Sequence, residues 1–181
     1  MHAFPEGRFP PSSPRHHVRM DLLLATIDNH EGLASRRELL VNGIHPGWID
    51  VAAWYGWHLI RVRKGWYARP TERRDVLRAW RLGGRLTCVS AGEFHAGAEP
   101  GPVLHVEVPK QAARLRDPDN RRRRLGPDAA VVVHWTRHPG PGDRRAVTAA
   151  HAEAVAARCG VHGAGVPRAP GAVRGSRGRR G

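Results

Sequence analysis

Three features of this 181-residue chain predict an α+β fold. Helix-start signals recur near residues 35 and 45, a ribbon of alternating apolar and cationic residues turns on a glycine at 59–67, and two β-rich segments lie between residues 103 and 135. They divide the chain into a helical unit with a hairpin at residues 18–69 and a small mixed α/β domain at 70–158. A disordered leader at 1–17 and a disordered basic tail at 159–181 frame these two units.

The leader is interrupted by Pro5, Pro10, Pro11 and Pro14 and holds little to bury, and its His16-His17 pair reads as solvated. From Val18 the apolar stripe of Leu22, Leu23, Ala25, Thr26 and Ile27 predicts a first helix that closes at Asn29 to Gly32. Ser35-Arg36-Arg37-Glu38 has the spacing of a capping box, in which the serine accepts from the Glu38 amide and the glutamate reaches back to the serine amide. A second helix therefore starts at Arg36 and stops at Asn42-Gly43, where the left-handed conformation is cheap. His45-Pro46-Gly47 opens a third helix with proline in its first turn, carried on by Trp48, Ile49, Ala52, Ala53 and Tyr55.

Leu59 to Tyr67 then alternates around Gly65, so that a two-stranded ribbon sets Arg61, Arg63 and Lys64 on one face and Ile60 and Val62 on the other. Three short helices followed by such a hairpin make a winged helix-turn-helix. Trp66 and Tyr67 read as residues closing the hairpin against the first helix, and Trp57 as a packing residue.

In the second unit, Glu72 to Leu82 is a helix with Val76, Leu77, Trp80 and Leu82 inward, ended by Gly83-Gly84. Ser90-Ala91-Gly92-Glu93 repeats the capping-box spacing and starts a short helix. Val103 to Val108 and Ala129 to Trp135 read as strands separated by the charged segment 114–124, and Thr148 to Cys159 as an alanine-rich helix.

Thirty Lys and Arg against 16 Asp and Glu give a net charge of +14, which points to a polyanionic partner. Almost all of the excess is arginine, since Lys64 and Lys110 are the lysines. Selection for bidentate phosphate and guanine contacts and a GC-rich codon bias both account for that. Cys88 and Cys159 stand far apart with no CxxC and no Cys/His group at zinc spacing, so neither a structural metal nor a disulfide framework is expected. His105 and His134 read as strand residues rather than a catalytic or metal pair, and no catalytic residue, metal or cofactor is assigned. There is no apolar run of membrane-spanning length and no signal-peptide core near the N-terminus, which sets the expectation of a cytoplasmic protein.

The blocks Gly32-Leu33-Ala34-Ser35-Arg36-Arg37-Glu38-Leu39, Leu59 to Tyr67, and Gly83-Gly84-Arg85-Leu86-Thr87-Cys88-Val89-Ser90-Ala91 together resemble AbiEi-type antitoxins of actinobacteria, the repressor halves of type IV toxin-antitoxin systems. The likeness continues through Leu104 to Pro109 and Val133 to Trp135, so it covers about residues 18–150. It implies an N-terminal winged helix that binds operator DNA, joined to an α/β region. Many relatives continue into a domain similar to a very-short-patch-repair endonuclease, whereas this chain passes after Cys159 into a low-complexity tail, as truncation or a shifted reading frame would produce. Where relatives offer arginines on the third helix, this chain has Trp48, Asp50, Val51, Trp54 and Tyr55.

The resulting expectation is a DNA-binding regulator, an antitoxin-like repressor of a bacterial or phage promoter and not an enzyme. Its contacts to double-stranded DNA are assigned to Arg36, Arg37, His45 and Trp48 in or beside the major groove, and to Arg61, Arg63 and Lys64 on the backbone or minor groove. The alternative is a protein-interaction module that binds a toxin or host protein through the same unit. Oligomeric state is not set by the sequence.

Overall fold

The computed structural model describes residues 14–56, 58–120 and 122–160, with side chains from Met20 onward. Trp57, Arg121, the first 13 residues and the tail from residue 161 lie outside the described residues, and with them most of the expected leader and tail.

The architecture is mixed α+β. The first half runs α1 (Pro14–Asn29), β1 (Leu33–Ser35), α2 (Arg36–Val41), α3 (Pro46–Tyr55), β2 (Ile60–Arg63) and β3 (Trp66–Ala68). The second runs α4 (Arg74–Leu82), β4 (Arg85–Leu86), α5 (Cys88–His95), β5 (Leu104–Pro109), β6 (Val131–Thr136) and α6 (Ala149–Ala156). Helix α1 begins at Pro14 rather than Val18, because proline suits a first helical turn where its missing N–H costs nothing. Two strands escape the sequence pattern, β1 and β4, since three and two residues are too few to show an alternation.

The local signals in the first half act as expected. Ser35 Oγ accepts from Glu38 N at 3.2 Å and Glu38 Oε2 accepts from Ser35 N at 2.8 Å, which starts α2. His45 Nδ1 accepts from Gly47 N at 3.1 Å and starts α3, which Gly56 ends with φ +69°. The second capping box does not form. Helix α5 begins three residues earlier, at Cys88 after Thr87, and Ser90 Oγ instead accepts from His105 N at 3.0 Å, tying α5 to β5.

Strand order in the first sheet is β1-β3-β2, antiparallel throughout, with Leu33 opposite Ala68, Arg61 opposite Tyr67 and a bulge between Arg61 and Arg63. One face, bearing Ala34 and Tyr67, packs with Leu59 against Leu23 and Ile27 of α1, Leu39 of α2 and Ile49 of α3. The other face, bearing Leu33 and Ala68, packs with Val62 against Val76 and Trp80 of α4 and joins the core of the second half. This small sheet is therefore covered on both sides, and one apolar core runs across residue 70 without a break.

The second sheet has order β4-β5-β6, antiparallel between β4 and β5 and parallel between β5 and β6. Leu86 and residues 145–147 exchange backbone hydrogen bonds, so the approach to α6 lines the edge of β4. Gly83 adopts φ +113° to end α4, and a Cβ on Gly84 would collide with the Glu107 carbonyl, so these two glycines let α4 turn directly onto the sheet. Among the described residues no helix is long and apolar enough to cross a membrane.

Arg144 fastens the two halves. Its guanidinium donates to both Glu38 oxygens at 2.7 and 2.8 Å and to the Leu33 carbonyl at 2.9 Å, while its backbone N–H donates to Glu31 at 2.7 Å. The Arg144 guanidinium and the Ser35 cap hold the Glu38 carboxyl down to about 2, from an ordinary value of 4.5. A depressed carboxyl contributes stability above its unfolded value and loses it as the pH falls. Urea midpoints are expected to drop between pH 4.5 and about 2, and Glu38→Gln is expected to lower the midpoint at pH 7 and make that acid limb shallower.

Candidate nucleic-acid interface

The seven residues assigned to DNA fall into three groups. Arg37, Arg61 and Lys64 are exposed, and among the described residues none of the three has a hydrogen bond or an ion pair through its side chain. The Arg36 backbone N–H donates to the Gly65 carbonyl at 2.8 Å, which sets the hairpin turn beside the start of α2. Lys64 in that turn and Arg37 in the first turn of α2 therefore belong to one edge of the molecule.

Arg36 and His45 have structural duties. Arg36 forks onto Asp50 of α3, with Nη1 and Nη2 at 2.7 and 3.0 Å from the two oxygens, and its Nη1 lies 3.2 Å from the Tyr67 hydroxyl. The Asp50 carboxylate raises the Arg36 pKa, and the same contact holds Asp50 below the usual carboxylate range. The pair fixes the angle between α2 and α3 and cancels one of the charges that the sequence offered to phosphate. His45 spends Nδ1 on capping α3, while its ring stays at the surface. Trp48 is half-buried against the first core.

Arg63 departs furthest from its expected place. The bulge turns it to the face of the sheet opposite Arg61, so the three hairpin cations do not share a face. Its guanidinium sits 5.4 Å from the Trp66 ring centre and 5.1 Å from that of Trp80, while Nε is buried with no hydrogen-bond partner among the described residues. Burial lowers its pKa from the ordinary arginine value. The alternation of Ile60 to Arg63 predicted otherwise because a one-residue bulge reverses the side on which the following residue emerges.

Arg63 lines a cleft of about 440 Å³ together with Arg85 and Arg144. Those two arginines are already committed, Arg85 to Glu107 at 3.0 Å and Arg144 to Glu38 at 2.7 Å. The cleft is thus close to charge balance and is no anion funnel.

The outer surface of α3 carries no cation. Trp54 is 81% exposed and Tyr55 56%, with Val51 beside them and Leu40 and Val41 exposed on α2. A helix face of this kind offers stacking and methyl contacts and no bidentate donor for guanine.

A second group of chemically active side chains went unrecognised in the sequence. Cys88, His105, His134 and Cys159 present ligand atoms that all lie within 4.8 Å of one another. The expectation that these residues are isolated is corrected by the fold, which brings the start of α5, two adjacent strands and the chain just beyond α6 to one place. Burial, reinforced by His105, pulls the His134 imidazole down to about 4, and burial pushes the Cys88 thiol up to about 11. Spacings of 17, 29 and 25 residues carry no local motif, so only the order of strands reveals the group.

No family model matches the chain, and no curated protein matches it.

Arg63 and Arg61 are expected to separate in a stability measurement. Arg63→Ala removes a desolvated cation from two indole faces and should lower unfolding free energy by about 1–2 kcal/mol, whereas Arg61→Ala should stay within about 0.5 kcal/mol of the parent in urea denaturation.

Proposed function

We propose that the chain is a DNA-binding transcriptional regulator acting in the cytoplasm, an antitoxin-like repressor whose residues 18–69 work as a winged helix-turn-helix. The observation that carries the reading is the succession of α1, β1, α2, α3, β2 and β3, with strand order β1-β3-β2 and the exposed cations Arg37, Arg61 and Lys64 along α2 and the hairpin. In such a unit the helix after the turn approaches the major groove while the hairpin meets the adjacent backbone. The AbiEi-type assignment rests on the sequence blocks at 32–39, 59–67 and 83–91.

The geometry favours a reduced contact set. Arg37, Arg61 and Lys64 supply phosphate contacts, His45 and Trp48 stand at the head of α3, and Arg36 and Arg63 act from behind by holding the helices and hairpin in place. Phosphate contacts bind all sequences alike and are sensitive to salt. Fluorescence anisotropy with duplex DNA over a salt series is expected to show binding by the full chain, and the Arg61→Ala, Lys64→Ala double variant should lower the log–log slope by roughly 1.8. Salt-independent binding, or none, counts against the reading.

A second reading draws on the exposed aromatic face. A partner protein, such as a cognate toxin, would cover Trp54, Tyr55 and Val41, which lie 81%, 56% and 78% exposed. In that case Trp54→Ala abolishes co-purification with a co-expressed neighbouring gene product, while neutralising Arg61 and Lys64 leaves it intact.

A further inference from the structure

Four donors of two chemical kinds meet where the second sheet is covered by α5 and α6. His105 Nδ1 lies 3.2 Å from His134 Nε2, and Cys159 Sγ lies 4.0 Å from the first and 3.9 Å from the second. Cys88 completes a group whose ligand atoms are all within 4.8 Å. Zinc binds imidazole nitrogen at about 2.0–2.1 Å and thiolate at about 2.3 Å, so a regular tetrahedron has edges of roughly 3.3 Å between nitrogens, 3.6 Å between nitrogen and sulfur and 3.8 Å between sulfurs. The observed nitrogen–nitrogen separation matches that edge within the tolerance of a side-chain rotation, and the sulfur contacts sit slightly outside it.

We propose that Cys88, His105, His134 and Cys159 bind a zinc ion as a closed Cys2His2 structural site that staples α6 to the second sheet. Two thiolates and two imidazoles in tetrahedral array suit zinc above the oxygen-seeking cations. Binding forms two zinc–sulfur and two zinc–nitrogen bonds and releases the two thiol protons to solvent. With four protein ligands no position is left open for a reacting water, which makes the role structural. The neighbouring acid Glu107 is otherwise engaged, accepting from Arg85 at 3.0 Å and from Gly140 N at 3.1 Å.

The backbone around the group is already arranged. Thr87 N donates to the His105 carbonyl at 3.1 Å and His105 N to Ser90 Oγ at 3.0 Å, so Cys88 and His105 are indexed to each other from both sides. Cys88 itself holds φ +52°, a left-handed conformation that a non-glycine residue keeps only when its surroundings demand it. Cys159 is set by the end of α6, its N–H donating to the carbonyls of Val155 and Ala156 at 3.0 Å each. The staple also answers a packing deficit, since α6 is mostly alanine and Ala152 is its one fully buried residue. A metal joining the end of α6 to β5, β6 and α5 supplies what that apolar face lacks.

The rival arrangements are a hydrogen-bonded histidine pair beside two free thiols and a Cys88–Cys159 disulfide. Cobalt(II) and zinc titration of the full-length reduced chain distinguishes all three. The expected result is saturation at one equivalent, with thiolate-to-cobalt charge transfer and the intense ligand-field bands of a tetrahedral site, displacement of cobalt by zinc, and a rise in Tm with zinc. Cys159→Ser should weaken the charge-transfer band and reduce zinc affinity by more than the roughly 10- to 100-fold that loss of an outer-shell partner costs. Arg158→Ala, next to it and outside the group, should leave both unchanged. A weak octahedral cobalt spectrum in the parent chain, no change of Tm with zinc, or a disulfide that forms equally fast with zinc present overturns the proposal, whether or not the variants fold.

Discussion

The three-stranded sheet β1-β3-β2 is buried on both faces, and the remaining structure follows from that constraint. A hairpin with one free face can display every second residue to solvent. Here the second face is occupied by α4, with Trp66 against Trp80 at 4.5 Å between ring centres, so what emerges on that side must live among indoles. Arg63 does so by laying its planar, weakly hydrated guanidinium on the two rings, a placement that costs more desolvation for lysine with its compact and strongly hydrated charge. The same packing fixes α4, and through Gly83 and Gly84 it fixes the second sheet.

Several of the arginines are paired with carboxylates of the same chain. Arg36 is paired with Asp50, Arg78 with Asp119, Arg85 with Glu107 and Arg144 with Glu38, each bond joining segments distant in sequence. The Arg85–Glu107 pair is the most enclosed of these, with side chains 15% and 7% exposed, and removing either partner strands the other at a cost of about 3–5 kcal/mol. The net charge of +14 already subtracts the carboxylates used in these pairs, so the pairing leaves the excess unchanged and decides where the unpaired cations stand. What counts is which exposed cations make no ion pair, and among the described residues of the first unit Arg37, Arg61 and Lys64 are such cations.

Legibility in the sequence tracked the range of the interaction. The Ser35-Glu38 box, the proline start of α3, the Gly65 turn and the glycines after α4 all act within a few residues, and each formed where the sequence indicated. The Ser90-Glu93 box had the right spacing and failed, because Ser90 found a longer-range partner in the backbone of His105 and Glu93 one in Gly101 N. The Cys and His quartet is the extreme case. Each ligand stands on a different segment, and the register that sets His105 opposite Val132 and Glu107 opposite His134 exists only after β5 and β6 pair in parallel. Motif spacing reports sites built on one hairpin or one helix, and this group is built on a sheet.

If the first unit binds DNA as proposed, an exposed α3 without cations limits the kind of selectivity available to it. Arginine on guanine gives two hydrogen bonds in one plane, and the one acidic group on this helix, Asp50, is itself turned toward Arg36. On that reading, what would remain is contact between indole or phenol rings and thymine methyl groups, together with the response of groove width to the spacing of Arg37 from the hairpin cations. Both discriminate weakly per base and depend on rigid placement, since a ring that swings by an ångström loses its contact while a lysine follows the phosphate. The ion pairs within the chain and the doubly covered sheet supply that rigidity, so on the proposed reading the paired arginines would serve recognition by holding still the few groups left at the surface.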